Sequence, residues 1–202
     1  YGNQPRIAHW NLARLAETLL PLIDADEARG IERASEILHE FPVKFEALQL
    51  AGLRGKLGLH TAEDGDAELA QNLLNLMQAG KADFTLVFRR LSAAGATPGA
   101  RFLFEDPDGF EDWWAIWQRR LAREPIDEAA RSNAMKRVNP AFIPRNYQVE
   151  AALAAAVVED DFRPFHRLFE VLQRPFDDQP GNEHYAEPPP PSETAYRTFC
   201  GT

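Results

Sequence analysis

The sequence predicts an all-α body followed by an extended, proline-rich tail. Three observations carry this. Apolar residues recur at spacings of three and four along most of the chain, the period of an amphipathic helix face. Alternating apolar and polar runs of useful length are absent, and Leu and Ala outweigh the β-branched Val and Ile. Six of the fifteen prolines fall in residues 175–202, where the helical period stops. The helical body is accordingly expected over 1–174 and the tail over 175–202.

Each helix has its own signals. Ala8, Leu12, Leu15, Leu19 and Leu22 share one face of a first helix, with Pro5 in its first turn, where a missing N–H is no loss. Asp24 and Asp26 cap a second helix through Ile31, Ile37 and Leu38. Pro42 is expected to end it. A third then follows through Phe45, Leu48 and Leu53, with Gly52, Gly55 and Gly58 giving a kinked helix with close contacts. Glu63, Asp64 and Asp66 place acids at the positive end of the next helix, whose stripe is Leu69, Leu73, Leu76 and Met77 and which Gly80 closes. Asp83 reads as the cap of a helix through Phe84, Val87, Phe88 and Leu91, and 92–99 as a loop.

Phe110, Trp113, Trp114, Trp117 and Leu121 form an aromatic face that must bury most of its area. Pro125, Asp127 and Glu128 open a short helix ending near Val138. Asn139-Pro140 and Ile143-Pro144 require extended backbone before each proline. Tyr147 to Val158 and Phe162 to Leu172 give the last two helices. In the tail, Pro188 to Pro191 favour polyproline II, and Phe176, Tyr185, Tyr196 and Phe199 favour a course along the body.

Composition excludes several functions. The 202 residues carry 22 Lys+Arg against 31 Asp+Glu, a net charge of −9 that suits neither nucleic acid nor an anionic membrane. The one cysteine, Cys200, excludes an intrachain disulfide framework and a Cys-based zinc site. No apolar run approaches the roughly 20 residues of a membrane span. The sequence opens on Tyr1 rather than Met and has no signal-peptide pattern, so a fragment of a longer protein is expected.

The familiar chemical motifs fail in turn. Lys56, in the glycine-rich stretch, is followed by Leu57 rather than Ser or Thr, so this is no phosphate loop. Asp64 and Asp66 lack the Gly and Glu of a calcium loop. His9, His39, His60, His166 and His184 show no helical pairing for zinc. No serine sits in a nucleophile elbow. From Arg119 to Arg145 seven basic residues face three acids, which reads as a solvated helix face with internal ion pairs ahead of a phosphate-binding surface. Spacing therefore assigns no catalytic, cofactor-binding or metal residue.

Several blocks together carry more. They are Tyr1-Gly2-Asn3-Gln4-Pro5, Trp10-Asn11-Leu12, Lys56-Leu57-Gly58-Leu59, Asp83-Phe84-Thr85 with Phe88-Arg89, and Asn139-Pro140 through Ile143-Pro144-Arg145-Asn146-Tyr147. Asp161-Phe162, Pro175-Phe176, Pro188-Pro189 and Cys200 follow. In this order they resemble the C-terminal part of the selenoprotein O family, over the whole chain. The resemblance implies a protein-kinase-like fold, once taken for a pseudokinase, with this chain as the multi-helix C-terminal part of its large lobe. It implies transfer of AMP from ATP to Ser, Thr or Tyr hydroxyls of proteins, with Mg²⁺ or Mn²⁺ on the phosphates.

The family's nucleotide-clamping and metal-holding residues lie upstream of the first block. No catalytic, cofactor-binding or metal residue is therefore carried over. The fragment alone is expected to be inactive, with neither ATP nor metal of its own. Its implied partners are the upstream part of the same polypeptide and the full enzyme's protein substrates, with no nucleic acid and no membrane. Cys200 matches the family's terminal selenocysteine or cysteine, which implies a redox role through a disulfide to a cysteine outside this chain. The implied location is the cytoplasm for a bacterial member, eukaryotic relatives being mitochondrial. The competing reading is a stand-alone helical interaction module that binds through Trp113, Trp114 and Trp117 or through the tail.

Overall fold

The computed structural model describes residues 3–93, 100–104 and 106–190. Eight α-helices run in order among them: α1 (Gln4–Ile23), α2 (Glu27–Leu57), α3 (Asp66–Ala79), α4 (Phe84–Leu91), α5 (Pro107–Leu121), α6 (Glu128–Val138), α7 (Asn146–Val158) and α8 (Arg163–Leu172). Short 3₁₀ turns lie at Arg101–Leu103 and Glu183–Tyr185, and no strand occurs among the described residues. The all-α expectation is met. Among the described residues no helix is long and apolar enough to cross a membrane.

The chain forms two compact units, Tyr1–Leu53 and Arg54–Thr202. The first holds α1 and most of α2. Pro5 falls in the first turn of α1 as expected. Asp26 caps α2 by accepting the Arg29 N–H at 3.2 Å. Pro42, however, does not end a helix, because α2 continues through it to Leu57. A proline inside a helix removes one N–H and leaves the carbonyl four residues earlier without its partner. Here that carbonyl belongs to Leu38, and His9 of α1 supplies the missing contact from Nε2 at 3.0 Å, its ring stacked on Phe41.

Gly52 and Gly55 also depart from expectation. Nothing lies within 4 Å of where their side chains would start, so they mark no close approach. Gly58 does: its φ is +73°, and a Cβ there would stand 2.7 Å from Met135 Sδ.

The second unit has its core around α3 and α5. Leu69, Leu73 and Met77 of α3 meet Phe110, Trp113 and Trp117 of α5, with the two indoles 3% and 2% exposed. Each indole N–H is satisfied by a carbonyl, Trp113 donating to Leu69 O at 2.9 Å and Trp117 to Leu57 O at 3.0 Å. Trp113 and Trp117 are thus buried within this unit, with Trp114 half-buried beside them. A smaller apolar cluster of Ala141, Phe142 and Val171 is flanked by Leu172, Tyr185 and Ala186. Residues 175–190 run along this unit, starting where the Ala141 and Phe142 N–H groups donate to Pro175 O at 2.8 and 3.1 Å.

Candidate functional site

Several of the sequence blocks within the second unit converge on one joint. Asn139 precedes a proline, and its extended backbone (φ −113°, ψ 99°) ends α6 and turns its amide inward. That amide is fully buried and fully used. Nδ2 donates to Lys56 O and to Ser92 Oγ, both at 2.9 Å, while Oδ1 accepts from Lys56 Nζ at 3.2 Å. The Lys56 ammonium sits 5.7 and 5.4 Å from the Phe84 and Phe88 ring centres, and burial pushes it below the ordinary lysine range. Arg89 donates to Asn139 O at 2.9 Å.

Asp83 and Arg145 close the other side. Asp83 caps α4 through the Leu86 N–H at 2.8 Å, as expected, and also pairs with Arg145, itself buried. Burial alone would raise the Asp83 carboxyl. The Arg145 guanidinium and the capping N–H groups outweigh it and hold the group below its ordinary value. Arg145 also donates to Ala186 O at 2.7 Å, Gln148 to His184 O at 2.9 Å and Tyr147 to Glu187 O at 3.2 Å. Asp178 accepts from Arg89 at 2.5 Å and from Lys136 at 2.9 Å, and both hold its carboxyl low. The joint therefore fastens residues 175–190 to α4, α6 and α7.

A second hub centres on Arg120 of α5, which is 4% exposed. It reaches Asp66 at 2.8 Å, Glu124 at 2.6 Å and Glu63 at 3.2 Å, and donates to Thr61 O at 2.8 Å. Asp66 also takes Arg54 at 2.7 Å and the Glu63 N–H at 2.9 Å. Glu124 also takes the His60 N–H at 2.8 Å and the Thr61 hydroxyl at 2.8 Å. For both carboxyls burial pushes upward, and these donors more than offset it, so both lie below their ordinary values.

The basic stretch from Arg119 to Arg145 is therefore substantially consumed by internal pairs: Arg120, Arg123 with Glu63, Lys136 with Asp178 and Arg145 with Asp83. Asp66 opens α3, and its carboxylate serves the hub rather than a cation. Among the described residues no group of three or more His, Cys, Asp or Glu could hold a metal ion. The acids that do gather are occupied by arginine, so these residues do not fit a Mg²⁺ or Mn²⁺ site. Cys200 lies outside the described residues.

Sequence reasoning missed both hubs as units. The i, i+4 spacing of Arg120 and Glu124 was a visible signal. The partner Asp66, 54 positions away, had none.

Such inward-facing, mutually neutralised charge defines an all-helical segment whose buried polar groups tie its own elements together. The chain belongs to the protein adenylyltransferase SelO family, whose family model matches residues 1–173. It is similar to the "protein nucleotidyltransferase YdiU" of Rhodopseudomonas palustris strain BisB5, 54% identical over 206 residues. Proteins of the same name from Bradyrhizobium sp. strain ORS 278 and Rhizobium etli are 55% and 52% identical. In each comparison all of this chain is covered, but only 42%, 42% and 41% of the relative. The chain thus spans about two fifths of the length of the curated relatives it matches.

Proposed function

We propose that this chain is the C-terminal helical portion of a protein adenylyltransferase that moves AMP from ATP to Ser, Thr or Tyr hydroxyls of proteins. The observation that carries the reading is the family match over residues 1–173, joined to coverage of only 42% of a 54%-identical relative. In this reading the longer polypeptide has a kinase-like fold, and its nucleotide- and metal-holding residues lie outside this chain. The transfer would form a bond from the acceptor hydroxyl oxygen to the α-phosphorus, break the bond to pyrophosphate and release the hydroxyl proton; a divalent cation held by residues outside this chain would supply phosphate charge neutralisation. The residues described here take no part in that step. Their contribution is to brace the lobe, and the inward-directed hubs at Arg120 and Asn139 support that role. The bacterial relatives favour action in the cytoplasm.

The test is direct. This chain and the longer polypeptide are each incubated with labelled ATP, Mg²⁺ or Mn²⁺ and a protein acceptor. Label is expected on protein only with the longer polypeptide, and metal-dependent labelling by this chain alone would overturn the assignment of the site elsewhere. Cys200 is assigned the redox role in the same reading. Two thiols, Cys200 and one outside this chain, would pass two electrons and two protons to a disulfide or peroxide oxidant. Thiol trapping before and after oxidation of the longer polypeptide, with Cys200→Ser as control, is expected to show one Cys200-dependent disulfide.

A further inference from the structure

The first unit buries little of its own apolar surface. Among residues 3–53 only Gly30 and Ala34 are buried, and α1 contributes none. Two helices with so small a core do not supply the apolar burial that a lone domain needs.

The exposed part of α1 is organised. At about 100° per residue, Gln4, Ile7, Asn11, Leu15, Leu19 and Leu22 fall within an arc of about 120°. Leu15 is 53% exposed and Leu22 83%. The residues that meet α2 lie roughly opposite: His9 bonds Leu38 O, and Leu20 lies against Gly30. The stripe is therefore not the seam of the α1–α2 pair. It has an amide end, Gln4 and Asn11, and a leucine end. Amides that both donate and accept suit a partner's irregular backbone, and leucines suit an apolar face.

We propose that this stripe of α1 is the docking face for the part of the same polypeptide that lies outside this chain. The proposal rests on the reading above that the chain is one portion of a longer protein, and it names the surface. Length supports it: 58% of a 54%-identical relative lies beyond the match. Area supports it over a second copy. A 20-residue helix presents a strip about 30 Å by 10 Å, about 300 Å². A stable dimer needs about 800 Å² from each partner. A segment of the same chain meets a strip that small without the loss of translational freedom that a separate molecule pays.

Hydroxyl-radical footprinting with mass spectrometry tests this on the longer polypeptide and on this chain. Loss of oxidation at Leu15, Leu19 and Leu22 in the longer polypeptide, against full reactivity in this chain, is expected. Equal reactivity in both would overturn the proposal, as would protection that appears in this chain alone as its concentration rises. A double variant, Leu15→Glu with Leu22→Glu, gives a second measure. It is expected to leave the Tm of this chain unchanged and to lower that of the longer polypeptide. An unchanged Tm in the longer polypeptide would also overturn the proposal. Protection without AMP transfer would support this docking face and remove the proposed activity; AMP transfer without protection would do the reverse.

Discussion

Arg120, in the last turn of α5, and Arg123, in the turn just past its end, show how differently two neighbouring arginines are valued. The Arg120 guanidinium is buried and shared among Asp66, Glu124 and Glu63, whereas Arg123 pairs with Glu63 while 53% exposed. Removing one partner of a buried pair leaves uncompensated charge, a cost of about 3–5 kcal/mol. Removing an exposed pair costs about 0–1 kcal/mol. Arg120→Ala is therefore expected to lower the urea midpoint strongly and Arg123→Ala hardly at all. Equal effects would show that the hub is not the buried network described. Gly58 belongs to the same scale. Its positive φ and the 2.7 Å approach to Met135 Sδ leave no room for a Cβ. Gly58→Ala is expected to cost about 1–3 kcal/mol by overpacking and backbone strain together, read from the same urea titration. The capping roles of Asp26 and Asp83 were legible because a cap and its N–H lie within three residues. The roles of Asp66 and Asn139 were not, since their partners come from distant parts of the chain.

At the scale of elements, the helices were legible from their apolar period and their caps, and the misreading at Pro42 has a specific cause. A local rule treats an internal proline as a break because it frees a carbonyl. It cannot see that a histidine 29 positions earlier serves that carbonyl. This makes His9 and Pro42 a coupled pair. His9→Ala is expected to cost about 1 kcal/mol where Pro42 is present. In a Pro42→Ala background, residue 42 donates its own N–H to Leu38 O, so the histidine bond loses most of its value. A double-mutant cycle read by hydrogen exchange of the α2 amides checks this, and strictly additive effects would refute it. The glycines at 52 and 55 teach the complementary lesson. A residue type that permits close approach does not require one.

For the whole molecule, the buried carboxyls of the two hubs contribute to the response to acid. Asp66, Asp83 and Glu124 all sit below their ordinary values of 3.8 or 4.5 in the folded chain. A carboxyl whose folded pKa is depressed releases its proton more readily folded than unfolded, so it adds stability once the unfolded group is ionised. That contribution is complete above the ordinary values and is lost as pH falls through the lower, folded ones. Stability is therefore expected to be level at neutral pH and to fall steeply below about pH 4. There the 22 Lys and Arg residues lose their anionic partners and repel one another. The net charge of −9, which first argued against nucleic acid and an anionic membrane, conceals this arrangement, because the acids in question are the few turned inward. Thermal unfolding of the chain from pH 7 to pH 2 measures the profile. Asp66→Asn with Glu124→Gln is expected to lower the neutral plateau and flatten the acid limb, since two of the groups that produce the slope are gone. Asp178→Asn, whose side chain is 66% exposed, is expected to change either feature little. An acid limb of unchanged steepness in the double variant would place the acid-sensitive groups elsewhere than the Arg120 hub.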